Sequence, residues 1–253
     1  MLNIETILDL HIVDENNKRD EYYEQFKGKH SASSAGYCYK KQYYQLHGYE
    51  GEPMDKRVKR LLRLGTLLHK DLEESLNKYA KNIKEKGAES VQIFTEHLIE
   101  IPSLNVVGHL DYMFIIDDRE YWVGDLKSLN DWSWKLKFGK KFANKKQSPH
   151  YYLQLGTYCL GVQQQFHVKE PMMLDLLWYN KNDSNIKNSS VDPMWIHRAQ
   201  AYWIDLNDFL LEVGDDILDV EATTAIGIPM MDWECKYCQF NKICKGGMNW
   251  KKK

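Results

Sequence analysis

A mixed α/β fold, with helices packed on a central sheet of parallel and antiparallel strands, is the class predicted by this chain of 253 residues. Two observations point there. The apolar periodicity switches in the order helix, three strands, helix, strand, an order that layers helices onto a sheet. The composition, 43% hydrophobic and 13% aromatic, suits one substantial packed core. No internal repeat interrupts the pattern.

The spacing predicts a helix over 31–48, opened by Ser33 or Ser34 and carrying Cys38. A longer helix is predicted over 55–84, where Val58, Leu61, Leu62, Leu68, Leu72 and Leu76 recur at three- and four-residue steps. His69 falls within that stripe and is expected to face inward. Three strands follow: "VQIFTEHLIEIP", then "VVGHLDYMFII", then "EYWVGDLKS" across the turn "DDR". Ser148 and Pro149 start a helix through "PHYYLQLGTYCLGVQQQF". "MMLDLLWY" reads as a further strand, and the polar run from Asn180 to Ser190 as an exposed loop. "MWIHRAQAYWID" resembles an outer strand and "LNDFLLEVGDDILDVEATTA" a last helix, before a cysteine-rich tail. The whole of 1–253 reads as a single domain.

A net charge of −2 argues by itself for no polyanionic partner. Its distribution says more. Lys135, Lys137, Lys140, Lys141, Lys145 and Lys146 crowd into one segment with Trp132, Trp134, Phe138 and Phe142. Clustered lysines between rings suit a phosphate backbone and unstacked bases, and suit a solvated loop equally well. No apolar run approaches the ~20 residues that span a bilayer. The N-terminus lacks a basic flank ahead of an apolar stretch, so a cytoplasmic protein is expected, in a host's cytoplasm if the source is viral. The absence of a G-x-x-x-x-G-K-[ST] loop argues against an ATP-driven motor.

Within "YWVGDLKSLN", Asp125 and Lys127 stand two apart on a strand and share a face. Their neighbourhood is apolar, where an uncompensated charge is costly. Pairing about the turn at Asp117–Arg119 sets Asp111 across from Asp125, at a cross-strand distance of ~5 Å. Two carboxylates that close repel unless a cation lies between them. A hard divalent ion with oxygen ligands, Mg²⁺ or Mn²⁺, meets that need. Lys127 beside it would help activate a water or steady the charge that builds during phosphoryl transfer. Taken alone, a D-x-K is more often an exposed salt bridge, and an inward histidine more often a satisfied core group. Glu96, on the first strand, reads as an outer ligand or, more simply, as an exposed strand glutamate.

Taken together and in order, His69, Gly108 with Asp111, Asp125 with Lys127, and Gln154 with Tyr158 resemble the motif series of the PD-(D/E)XK nuclease superfamily. The likeness is to its RecB-like branch and covers roughly residues 58–160. It implies a restriction-endonuclease-like core over about 55–180, with a mixed central sheet flanked by helices. It implies Mg²⁺ or Mn²⁺ held by His69, Asp111, Asp125 and the backbone carbonyl of Leu126. Lys127 would assist the water, and Gln154 and Tyr158 would position the active site or the DNA backbone. The reaction implied is hydrolysis of DNA by an exonuclease acting on single strands or ends, the lysine-rich segment lining the strand's path. Two features agree independently: Gln154 and Tyr158, four apart, share a helix face, and Gly108 permits close backbone approach.

Five cysteines in a cytosolic chain are not expected to form disulfides. Cys235, Cys238 and Cys244 form a C-x₂-C-x₅-C group, and a tetrahedral metal or a cubane cluster wants a fourth thiolate. That partner is Cys38 or Cys159, and Cys159, amid apolar residues, reads as a core side chain. RecB-like nucleases of the CRISPR-adaptation Cas-four type and the AddB recombination type have one cysteine ahead of the core and a trio near the C-terminus. By that resemblance Cys38, Cys235, Cys238 and Cys244 hold a [4Fe–4S] cluster, with Zn²⁺ the alternative. The cluster would join a helical N-terminal segment, about 31–48, to the C-terminal segment, about 230–247. The same resemblance implies DNA as partner, and CRISPR-adaptation or recombination proteins as company in which the chain would act chiefly as a subunit. A cluster-stabilised DNA-binding module without catalysis is a third reading, opposed by the completeness of the acidic and lysine set.

Overall fold

The computed structural model describes residues 3–79, 88–139, 148–168, 172–214, 216, 221–224 and 233–244. Its sheet has six strands: β1 (His30–Ser31), β2 (Val91–Ile101), β3 (Val106–Ile116), β4 (Glu120–Leu129), β5 (Met173–Asn180) and β6 (Ile186–Val191). β2, β3 and β4 form an antiparallel meander. β4 then pairs in parallel with β5, and β6 closes the edge antiparallel to it. A parallel neighbour requires a crossover. Here the connection contains α4 (Asp131–Phe138) and α5 (Pro149–Phe166). The sheet is therefore mixed, with α1 (Ile4–Tyr23), α2 (Tyr39–Leu46), α3 (Lys56–Tyr79) and α6 (Met194–Val213) around it.

The core lies between the sheet and α5, with α6 packed on the other face of α5. Leu153, Leu155 and Leu160 of α5 and Ile196, Ala199 and Trp203 of α6 pack with Met113, Ile115, Leu174, Leu176 and Trp178. Over 153–162 every residue of α5 is buried, as expected of a helix enclosed on all sides. Its approach to α6 is close: a Cβ on Gly156 would lie 2.3 Å from the carbonyl oxygen of Trp195.

Several sequence expectations are corrected here. Residues 31–48 are not one helix. His30–Ser31 pair with β3, Ala32–Ser34 form a 3₁₀ turn, and α2 begins only at Tyr39, after Cys38. The supposed outer strand at 194–205 is the start of α6, which runs unbroken into the segment read as the last helix and ends at Val213 before Gly214, at φ 53°. Ile196, Ala199, Tyr202, Trp203 and Leu206 are buried at helical spacing, so the aromatic and branched residues that suggested a strand are the helix's inner face. The run Asn180–Ser190 holds β6, a polar edge strand whose Ser189 hydroxyl accepts from the indole of Trp178. In α3 the apolar stripe faces inward only in part: Leu68, Leu72 and Leu76 are half-buried, whereas Val58, Leu61 and Leu62 are exposed. Residues 80–84 of the expected helix lie outside the described residues.

Two irregularities matter for the site. First, the sheet splits. β3 keeps β2 along its length, but β1 takes only Val106 and Val107 of its other edge, and β4 only Tyr112 to Ile116. Beyond Gly124, β4 continues with β5 alone. The last rung is Tyr112 against Gly124, with the Tyr112 ring folded over the glycine, where a Cβ would come within 2.0 Å of it. Second, β2 loses its alternation at Glu96, which has a left-handed φ of 47°. Phe94 meets Phe166 of α5, and Ile99 lies against Gly161 of the same helix. Residues an odd number apart cannot face one side of an unbroken strand. The reset occurs at Glu96.

Candidate active site

The wedge between β3 and β4 gathers the ionisable residues. β2 and β3 lie in a register that puts Glu96 opposite Asp111, between the Thr95–Tyr112 and His97–Leu110 pairs. β3 and β4 keep the register that sets Asp111 across from Asp125, one step past the Tyr112–Gly124 rung. No backbone rung forms there. Instead the Leu126 N–H donates to Asp111 Oδ2 at 2.6 Å, so a side chain bridges the opened strands. In an extended strand the N–H and C=O of one residue point to the same edge, so the Leu126 carbonyl also faces the wedge. α3 supplies His69, whose Nδ1 lies 3.2 Å from the same Asp111 Oδ2.

One ligand atom each from His69, Glu96 and Asp111 lies within 4.8 Å of the others. The two carboxylates are hard donors suited to Mg²⁺ or Mn²⁺, the imidazole is a borderline donor that leans toward Mn²⁺, and these residues fit such an ion. The electrostatics agree that the trio is short of positive charge. The walls around the Glu96 carboxyl, followed by the negative charge of Asp111, push its pKa up to about 7. Burial opposes protonation of His69, but the hydrogen bond and charge of Asp111 outweigh it and hold the imidazole above its ordinary value.

Asp125 sits behind this trio, fully buried, and its carboxylate is turned to the lysine: Lys127 Nζ lies 2.5 Å from Asp125 Oδ2. Burial pushes the Asp125 carboxyl upward against the pull of that ammonium. Burial likewise disfavours the Lys127 ammonium, but Asp125 and Asp111 raise its pKa, so it stays charged. Lys127 also donates to Gln154 Oε1 at 2.9 Å and lies 5.0 Å above the Tyr151 ring. Gln154 Nε2 in turn donates to Asp125 Oδ1 at 3.3 Å and to the Tyr158 hydroxyl at 2.7 Å. Gln154 and Tyr158 are thus joined to the Asp125–Lys127 pair through α5. Gly108 gives Tyr158 its room: a Cβ there would lie 3.2 Å from the Tyr158 ring and 2.6 Å from Ala32 Cβ.

The structure therefore brings together His69, Asp111, Asp125, Lys127, Gln154 and Tyr158. Glu96 belongs with them: it is exposed on its strand, as the sequence expected, and its carboxylate also lies within ligand distance of His69 and Asp111. Its place was legible, because Glu96 and Asp111 are equidistant from the turn at 103–104. Tyr151 carried no sequence signal. The lysine- and aromatic-rich segment is less uniform than its composition suggested. Trp132 is exposed, Lys135 is paired with Asp131, and Trp134 packs on Phe138. Lys137 turns inward over the Trp178 ring at 4.1 Å, where burial lowers its pKa to about 8. Lys140, Lys141, Lys145 and Lys146 lie outside the described residues.

On the far side of α2, Cys38, Cys235, Cys238 and Cys244 line one small cavity with Lys40, Lys41 and Tyr44. Phe240 anchors the C-terminal turn against Tyr43 and Tyr44, and Glu234 accepts the Cys38 N–H at 2.5 Å. Burial raises the Cys38 thiol to about 11 and also raises Cys238. Cys159 is buried in the α5 core, away from this group.

The chain belongs to the PD-(D/E)XK nuclease superfamily, whose family model matches residues 42–245. No curated protein matches the sequence. Among solved structures, a protein from Eubacterium rectale described as a candidate exonuclease is 16% identical, with a TM-score of 0.50, over 86% of this chain and 97% of that one. A protein called SSO0001 is 17% identical over 86% of both chains, with a TM-score of 0.47. An alkaline exonuclease from Laribacter hongkongensis is 16% identical, with a TM-score of 0.40, over 78% of this chain and 94% of that one. At these identities the likeness is one of fold. No described helix is long and apolar enough to cross a membrane.

Proposed function

We propose that the protein hydrolyses phosphodiester bonds of DNA, as an exonuclease on single strands or ends, using Mg²⁺ or Mn²⁺. The observation that carries this is the wedge itself: three ligand atoms within 4.8 Å of one another, beside a buried aspartate–lysine pair. His69, Glu96, Asp111 and the Leu126 carbonyl would hold the ion, while Asp125, the further ligand expected from the sequence, pairs here with Lys127 and Gln154. When bound, it supplies Lewis acidity toward a phosphoryl oxygen and a more acidic water. The chain's own groups do the rest. Lys127, kept charged and fixed by Asp125 and Gln154, offers N–H donors to an oxygen that gains negative charge during the reaction. Gln154, itself braced by the Tyr158 hydroxyl, holds that ammonium in place.

End-labelled single- and double-stranded oligonucleotides with Mn²⁺ test this reading. Asp125→Asn and Lys127→Ala should each lose at least ~10²-fold in cleavage while keeping the wild-type circular dichroism spectrum. Undiminished cleavage by either variant overturns the assignment.

The four cysteines support a [4Fe–4S] cluster, at a site whose thiol donors suit it. Four thiolates suit zinc as well, and iron and sulfide analysis of anaerobically purified protein decides between the two. A second reading, a nuclease subunit working inside a CRISPR-adaptation or recombination assembly, is favoured by α3. Leu61, Leu62, Leu64 and Leu67 there stand 45–55% exposed, which is apolar surface that a partner would cover. Comparing cleavage by the isolated chain and by the assembly separates the two.

A further inference from the structure

The end of α1 places an aromatic cluster next to the wedge, and nothing in the hydrolytic machinery uses it. Tyr22 and Tyr23 both bond His109: the Tyr22 hydroxyl lies 3.0 Å from Nε2 and the Tyr23 hydroxyl 3.2 Å from Nδ1. Burial lowers the His109 pKa, which favours a neutral ring. The two tyrosine rings stand edge to face at 88°, 5.3 Å apart, with buried Phe26 beneath them at 5.8 and 6.0 Å. Edge-to-face packing leaves ring faces unstacked, and Tyr22 and Tyr23 remain 46% and 41% exposed. The cluster borders the site through two strands. His109 is two residues from Asp111 on β3, ~7 Å away, and the Tyr23 phenol is close enough to Glu96 for that charge to raise its pKa, after burial.

We propose that Tyr22 and Tyr23, oriented by His109, form a stacking shelf for an unpaired nucleobase, and so position a single strand at the wedge. The inference rests on the nuclease reading above and names how that site selects its substrate. His109, which holds the rings, stands two residues from Asp111 on β3, so a base on the shelf belongs to a nucleotide near the one whose phosphate enters the wedge. Stacking is indifferent to base identity, because every base has a π-face. It does require an unpaired base, which is what distinguishes a single strand or a frayed end from a closed duplex. The hydroxyls tie the rings to His109, and the ring faces make the contact.

The test uses oligonucleotides of one sequence, either intact or carrying one abasic nucleotide at successive positions from the end, cleaved by the full chain with Mn²⁺. Wild type should discriminate against the abasic residue at one or two adjacent positions by about 5- to 150-fold in kcat/KM. In the doubly substituted Tyr22→Ala, Tyr23→Ala protein the intact-to-abasic ratio should fall toward one, a change that a merely structural role would not produce. Tyr22→Phe with Tyr23→Phe, which keeps the rings but frees them from His109, should give a ratio between those of the alanine variant and wild type. Equal discrimination by the alanine variant and wild type, or none by wild type, overturns the shelf while leaving hydrolysis in place. Absence of cleavage by wild type overturns the nuclease reading as well.

Discussion

At the scale of single residues, the site is built from side chains in positions that cost stability. Glu96 is the clearest. A left-handed φ in a residue with a Cβ costs ~1–2 kcal/mol, and here it turns the strand at the one point where its carboxylate meets Asp111. Glycine adopts that φ freely at an entropic cost of ~0.5–1 kcal/mol, so the two terms nearly cancel. Glu96→Gly is expected to melt no lower than wild type, yet to lose much of the thermal stabilisation that added Mn²⁺ confers. A melting temperature well below wild type would show that the left-handed turn is not strained. The sequence made much of this scale legible. Asp111, Asp125 and Lys127 could be brought together by hairpin arithmetic, since a short turn fixes register. The Glu96 backbone and the Tyr151 ring over Lys127 could not, because a left-handed strand residue that is neither glycine nor asparagine leaves no compositional trace.

At the scale of elements, α5 ties chemistry to packing. One stretch of this helix carries Gln154 and Tyr158, which brace the aspartate–lysine pair, and Gly156, which admits the backbone of α6. The obstacle that a side chain at 156 would meet is a main-chain carbonyl, which cannot rotate away. Gly156→Ala is therefore expected to destabilise by ~1–3 kcal/mol, measured by urea unfolding. Because the helix must shift to accept the methyl, cleavage should drop in parallel. An unchanged midpoint would mean that α5 and α6 pack less tightly than their geometry indicates. The strands of the hairpin region were legible to within a residue because alternation and turn chemistry agreed. α6 was not, since Trp195, Ile196, Tyr202 and Trp203 carry strand propensity, and burial against α5 overrides it. β6 was missed for the opposite reason: an edge strand needs no apolar run when its partner, β5, supplies the buried face.

At the scale of the whole molecule, residues near the two ends of the sequence meet at α2, where Cys38 joins the turn holding Cys235, Cys238 and Cys244. A cluster spanning them would restrict the unfolded chain much as a covalent link does, a loop of this length being worth roughly 5 kcal/mol. Cys38→Ser is expected to lose iron and visible absorption in anaerobically purified protein and to lower its melting temperature by many degrees, whereas Cys159→Ser should keep its iron. Stoichiometric zinc without iron in the wild-type protein would end the cluster reading. The spacing of the cysteine trio was visible in sequence, but the choice of its distant partner there rested on family likeness. Folding supplies the physical reason: Cys159 is enclosed by α5 and the sheet, and Cys38 opens α2 beside the trio.

The Leu126 amide and the His69 imidazole both fall on one oxygen of Asp111, Oδ2. That carboxylate stitches the parted strands as well as facing the reaction. Selection for shape and selection for chemistry thus press on the same side chain, and a lineage that gave up cutting would still be held to an aspartate there by the demands of folding alone.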